Sequence, residues 1–178
     1  MSQPRVLIAG IGNIFLGDDA FGSEVARQLL GRSQSPDVQI VDFGIRGLDL
    51  TYALMENPEI AILIDAVPAG LAPGTVSLIE PDLAIDDDAP ASLETHGMNP
   101  VKVLRAAVSM GARPGRVLLV GCEPSPVEDA EEMQMEMSEP VRAAVDEAVR
   151  MVESIVEKLL RREPIESKIE QTRETVHK

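Results

Sequence analysis

The chain has 178 residues and is 44% hydrophobic, which suits a single domain with a substantial core. A net charge of −14 argues against nucleic acid, whose phosphates demand Lys and Arg, and against anionic membrane surfaces. Aromatic residues make up only 2%, so Val, Ile, Leu, Ala and Met must fill the core.

The first apolar run of strand length, 6–9, ends in the turn Gly10-Ile11-Gly12-Asn13. Two adjacent carboxylates, Asp18 and Asp19, come next. A helical pattern over 21–30 then carries Val25, Ala26, Leu29 and Leu30. A second strand at 38–43 leads to a helix over 47–56 with Leu50, Ala53 and Leu54. A third strand, 60–65, ends on Asp65. A fourth, 75–79, is bracketed by Pro73-Gly74 and Glu80-Pro81. It follows the third after a turn too short for a helical crossover, so it is expected to be antiparallel, at an edge. The run Asp86-Asp87-Asp88 reads as a solvated loop. A helix is expected over 98–110, with Asn99 as N-cap, Pro100 in its first turn and Gly111 at its end. The fifth strand is 116–121. An acid-rich, mobile loop over 128–139 precedes the longest helix, 138–161, with Val141, Val145, Val149, Val152 and Ile155 on one face.

Four of the five strands are continuous apolar runs, the mark of burial on both faces. Alternation with helices predicts a three-layer αβα domain over 1–162. Its twisted sheet has five strands, mostly parallel, with one antiparallel. The charged segment 163–178 is expected to be a disordered tail, with His177 exposed. The single cysteine, Cys122, allows no intrachain disulfide and no cysteine-pair zinc site. With no secretory leader and no apolar run near the ~20 residues of a membrane span, a cytoplasmic location is expected.

Two acids side by side at a strand–turn–helix junction suggest a site for something cationic. The glycine turn does not fit a dinucleotide, because Phe15 stands where the third glycine belongs and the acids would repel a pyrophosphate. Asp18 can cap the helix after it, but a cap needs one acid and leaves Asp19 over. In an open parallel sheet, ligands bind beyond the carboxyl ends of the strands, at the topological switch point. Asp19 follows the first strand and Asp65 ends the third, so the two face one crevice if those strands flank that point. His96, in Thr95-His96-Gly97-Met98-Asn99, sits in a loop held by Gly97 and the helix start behind it. Two carboxylates and one imidazole suit a borderline divalent ion such as nickel or zinc, with positions open for water or substrate. Cys122 is a conceivable nucleophile with His96, against the simpler reading of a small apolar strand-end residue.

The stretch from Gly10 to Gly22 resembles the hallmark of the nickel–iron hydrogenase maturation endopeptidases. The order of the later motifs resembles that family too: Asp42-Phe43-Gly44 with Gly47, Ile64-Asp65-Ala66, Thr95-His96, then Gly121 with Glu123-Pro124. The resemblance implies a twisted five-stranded sheet between helices. It also implies an endopeptidase that removes the C-terminal extension of the hydrogenase large-subunit precursor after nickel insertion. Asp19, Asp65 and His96 would then contact the nickel, which belongs to the substrate and serves as a recognition handle, and no organic cofactor is expected. Asp42, Gly44 and Gly47 would help position the substrate. Ala20 replaces the family's usual glycine, and Gly44-Ile45-Arg46-Gly47 departs from the Gly-Gly-Thr type of loop, which bears on which large subunit is recognised. The alternative is a non-hydrolytic nickel-binding or chaperone protein using the same three residues.

Overall fold

The computed structural model describes residues 5–32, 35–82, 98–127 and 135–170. Four strands form the parallel body of the sheet: β1 (Val6–Ile11), β2 (Val38–Gly44), β3 (Ile60–Ala66) and β5 (Arg116–Cys122). β4 (Val76–Pro81) runs antiparallel to β5, as its short connection from β3 predicts. The spatial order is β2-β1-β3-β5-β4, extended at the β4 edge by a short β6 (Lys168–Glu170). β1 lies between β2 and β3, both parallel to it, so the chain leaves β1 in one direction and returns on its other side. That reversal makes β1/β3 the switch point, with the exits of both strands at one crevice.

Two helical layers cover the sheet. α1 (Phe21–Leu30) and α4 (Glu139–Leu160) pack on the face carrying Ile8, Ile62, Ile64, Leu118 and Val120. α2 (Gly47–Met55) and α3 (Pro100–Ser109) pack on the face carrying Leu7, Ala9, Leu63 and Leu119. Each central strand therefore buries alternate side chains in opposite layers, which is why its sequence is apolar throughout. Asn99 caps α3 as expected, its side-chain oxygen accepting from the N–H groups of Val101 and Lys102.

The expected five-stranded, mostly parallel sheet is present, with the short β6 added at its β4 edge. One expectation needs correction. The segment beyond residue 162 is not a disordered tail from its start. Arg116 forms a fork-to-fork pair with Glu80, with both N···O distances 3.0 Å. Ser167 donates to the same carboxylate at 2.8 Å, and the Ile165 carbonyl accepts from Arg116. These bonds bring 165–167 to the edge of β4, and β6 then pairs with it in parallel. The Arg116 guanidinium holds the Glu80 carboxyl below its usual range. Residues 171–178, with His177, lie outside the described residues, as do the Asp86-Asp87-Asp88 run and most of the acidic loop before α4.

Candidate active site

The turn after β1 is built by close backbone approach. At Gly12, φ is +143°, and a Cβ there would fall 1.7 Å from the Asp19 carbonyl oxygen. Only glycine fits, and its contact draws the two ends of the loop 12–19 together. Asp19 lies in a single 3₁₀ turn, Gly17–Ala20, whose backbone is tied back by Asp19 N–H donating to the Leu16 carbonyl. The Asp19 carboxylate accepts from Asn13 N–H at 2.9 Å, closing the loop from the other side.

Asp65, next to last in β3, lies on the face shared with Leu63, toward the α2/α3 layer, and is 4% exposed. Among the described residues, its Oδ1 has no hydrogen-bond partner. Burial, and next the charge of Asp19, push its carboxyl well above the ordinary aspartate range, against a smaller opposing effect of the Ala66 amide. The structure therefore sets Asp19 close enough to Asp65 for its charge to be felt there, near the exits of β1 and β3. A buried carboxylate with an orphaned oxygen beside a second acid is costly as an apo arrangement. It suits a positively charged guest, which would supply the missing partner and relieve the repulsion.

His96 lies outside the described residues. The chain re-enters the described structure two residues later, at Met98, whose sulfur would stand 3.0 Å from a Cβ placed on Gly47. Among the described residues, no three His, Cys, Asp or Glu side chains gather as a metal set. Asp42 and Gly44 shape the β2 exit. The Asp42 carboxylate accepts from Gly44 N–H at 3.1 Å, and Gly44 has φ +57°. The Gly44 carbonyl receives Gly12 N–H at 3.0 Å, which locks this exit to the Asp19 loop. Gly47 opens α2. Arg46 braces the turn between them through the carbonyls of Asp42 and Phe43 and the carboxylate of Asp49.

Asp18 does not cap α1. The N-cap position there is Ala20, with no side-chain cap. Its Oδ1 instead accepts from Ser138 N–H at 2.7 Å, and its Oδ2 from Ser125 N–H and the Ser138 hydroxyl at 2.9 and 3.0 Å. It places negative charge at the start of α4, where the helix dipole favours it. Sequence reasoning misses this role because the partners lie 107 and 120 positions away. Glu123 likewise stands out in the sequence only as part of a motif, yet it is 8% exposed and accepts from Ala69 N–H at 2.6 Å.

The cysteine nucleophile reading finds no support. Cys122 is fully buried. Burial, with the charges of Asp18, Glu147 and Glu123, pushes its thiol up to about 12, so little thiolate exists near neutrality.

A family model described as hydrogenase maturation protease matches residues 23–155. The hydrogenase expression/formation protein HupD of Rhizobium leguminosarum bv. viciae is 35% identical over 156 residues, covering 85% of this chain and 75% of that protein. The corresponding protein HoxM of Azotobacter vinelandii is 34% identical, covering 85% and 72%. Among solved structures, the hydrogenase maturating endopeptidase HybD from E. coli superposes with a TM-score of 0.68 at 28% identity, covering 87% of this chain and 93% of that one. A hydrogenase 2 maturation peptidase from a Thaumarchaeota archaeon gives 0.62 at 34% identity, covering 85% and 97%.

Proposed function

Because the chain belongs to the hydrogenase maturation protease family, we propose that it removes the C-terminal extension of a nickel–iron hydrogenase large-subunit precursor once nickel has been inserted. The chain is an endopeptidase of hydrogenase maturation. The finer reading concerns what it recognises. Asp19, Asp65 and His96 grip the nickel carried by the precursor, and the ion is part of the substrate rather than a resident cofactor. The observation that carries this reading is the orphaned Oδ1 of buried Asp65 under the field of Asp19.

The chemistry grows out of that pair. Without a guest, Asp65 holds its proton to a pH above the ordinary aspartate range. An arriving dication favours the ionised form, so docking releases a proton and weakens as pH falls. The carboxylates then orient the precursor so that the scissile peptide meets water in the crevice. An imidazole or carboxylate within reach of that water serves as its base. Asp42, Gly44 and Gly47 shape the neighbouring loop against which the precursor lies. A rim of exposed apolar residues on the two loops and the first turn of α2, Ile14, Phe15, Leu16, Ile45 and Leu48, suits a protein substrate. No described helix is long and apolar enough to cross a membrane.

Single replacements Asp19→Ala and His96→Ala test the reading. Each is expected to slow cleavage of nickel-loaded precursor by about 10²–10⁴-fold, followed as the mass lost from the precursor. Full activity in both variants would refute the assignment. A precursor whose mass stays unchanged with the wild-type chain would favour the nickel-binding chaperone instead.

A further inference from the structure

Asp19 stands in a 3₁₀ turn off the sheet and Asp65 in β3, paired with Gly121 of β5, so their separation must be set by something other than the sheet alone. β1 and β3 are paired only as far as Gly10 and Ile64, so both acids lie past the last rung of that ladder. Beyond it, the chain 123–125 after β5 holds both sides. On one side, Ser125 N–H donates to Asp18 at 2.9 Å, and Ser125 Oγ lies 2.9 Å from Ser138 Oγ, which itself meets Asp18. Asp18 neighbours Asp19 in the same 3₁₀ turn. On the other side, Cys122 carbonyl accepts from Val67 N–H at 2.9 Å, and Glu123 carboxylate accepts from Ala69 N–H, four residues past Asp65. The strut is itself fixed to the start of β4: Glu123 N–H donates to the Thr75 carbonyl and the Glu123 carbonyl accepts from Gly74 N–H.

We propose that Asp18 and Glu123 are positioning residues for the Asp19–Asp65 pair, tying the turn that carries one acid and the loop that leaves the other to a common strut at 123–125. Each does so with charge-assisted bonds to backbone N–H groups, which are short and directional. Neither touches the guest. Their effect is the placement of the pair, and the inference rests on the proposed endopeptidase site.

Asp18 tolerates no neutral isostere. Its two oxygens meet two backbone N–H groups and one hydroxyl, so an amide at this position would face one N–H with its own NH₂. Glu123 differs, because a glutamine oxygen can still accept from Ala69 N–H. The two positions therefore give distinct patterns on substitution.

The test compares Asp18→Ala, Glu123→Ala, Glu123→Gln and Ser138→Ala with the wild-type chain on nickel-loaded precursor, with kcat and KM measured separately and folding checked by melting. Asp18→Ala and Glu123→Ala are expected to lower kcat by about 10²-fold, the cost of an ångström of misplacement. Glu123→Gln recovers most of that loss, and Ser138→Ala, which removes a single donor, falls in between. Wild-type kcat in folded Asp18→Ala and Glu123→Ala, or a glutamine no better than alanine at 123, would overturn the proposal. If Asp18→Ala does not fold, Ser138→Ala and Glu123→Ala decide in the same way. Crystal structures of the wild type and Glu123→Ala separate this proposal from the functional reading. A changed Asp19–Asp65 carboxylate separation supports positioning even if the wild type cleaves nothing, and an unchanged separation overturns it.

Discussion

Asp65→Asn is expected to abolish detectable cleavage while raising the melting temperature of the ligand-free chain. The two effects share one cause. Asp65 is buried, lacks a partner for Oδ1 among the described residues and feels the charge of Asp19. An asparagine fits the same space, keeps an oxygen for the Ala66 amide and carries no charge to be buried beside Asp19. Relieving one buried, repelled carboxylate is worth about 1–3 kcal/mol, or about 2–10 °C in a chain of this size. The gain depends on pH in a fixed direction. The carboxyl holds its proton more tightly in the folded chain than in the unfolded one, so the folded state loses stability as pH rises above the ordinary value of 3.8. The advantage of the asparagine is therefore absent below that pH and grows as pH climbs through the raised folded value. Thermal melts of both proteins across a pH series measure it. A variant that melts lower than wild type near neutrality would show that Asp65 is not held at a cost to stability, and the case for a cationic guest would fall with it.

Gly22→Ala is expected to be among the most destabilising single substitutions in the chain. On an exposed helix this change is favourable, since alanine is the better helix former by about 1 kcal/mol. Here, a Cβ at position 22 would lie 2.0 Å from the Ile64 carbonyl oxygen and 2.2 Å from that of Ile11. Both are backbone atoms in the central strands and cannot turn aside. Gly10 faces the same contact from β1, where a Cβ would lie 2.5 Å from the Gly22 carbonyl oxygen. The start of α1 thus sits directly on the switch point, and this seating carries the 3₁₀ turn and Asp19 to Asp65. The expected loss is about 3 kcal/mol or more, read from the urea midpoint. Gly31→Ala is the control, because a Cβ there meets only the Gln28 carbonyl at an ordinary 3.5 Å, and its effect should stay within about 0.5 kcal/mol. Equal midpoints for the two variants would contradict the packing argument.

The regular body of the fold was legible because its signals are local. β-branched runs buried on both faces identify the parallel strands, and the brief connection before β4 identifies its reversal. The Asn99–Pro100 pair marks the start of α3 from two adjacent residues. The candidate acids stand out in the sequence for a related reason: an acid at the end of an apolar strand, or beside another acid, has no packing role to explain it. The long-range bonds were not legible. Asp18 reads locally as a cap for the next helix, yet it serves the start of α4 across 120 positions. Residues 165–170 read as a charged tail, and only the Arg116–Glu80 fork, assembled from distant strands, makes an edge for them to join. The same limit hid Glu123, whose partner Ala69 lies 54 residues away.

The central claim is that the acid pair reads a nickel ion carried by the substrate. Its most direct measurement is one pair of mass spectra of the large-subunit precursor, nickel-loaded and nickel-free, after incubation with the wild-type chain. The predicted result is that the loaded precursor alone loses its C-terminal extension. Equal cleavage of both forms would contradict it.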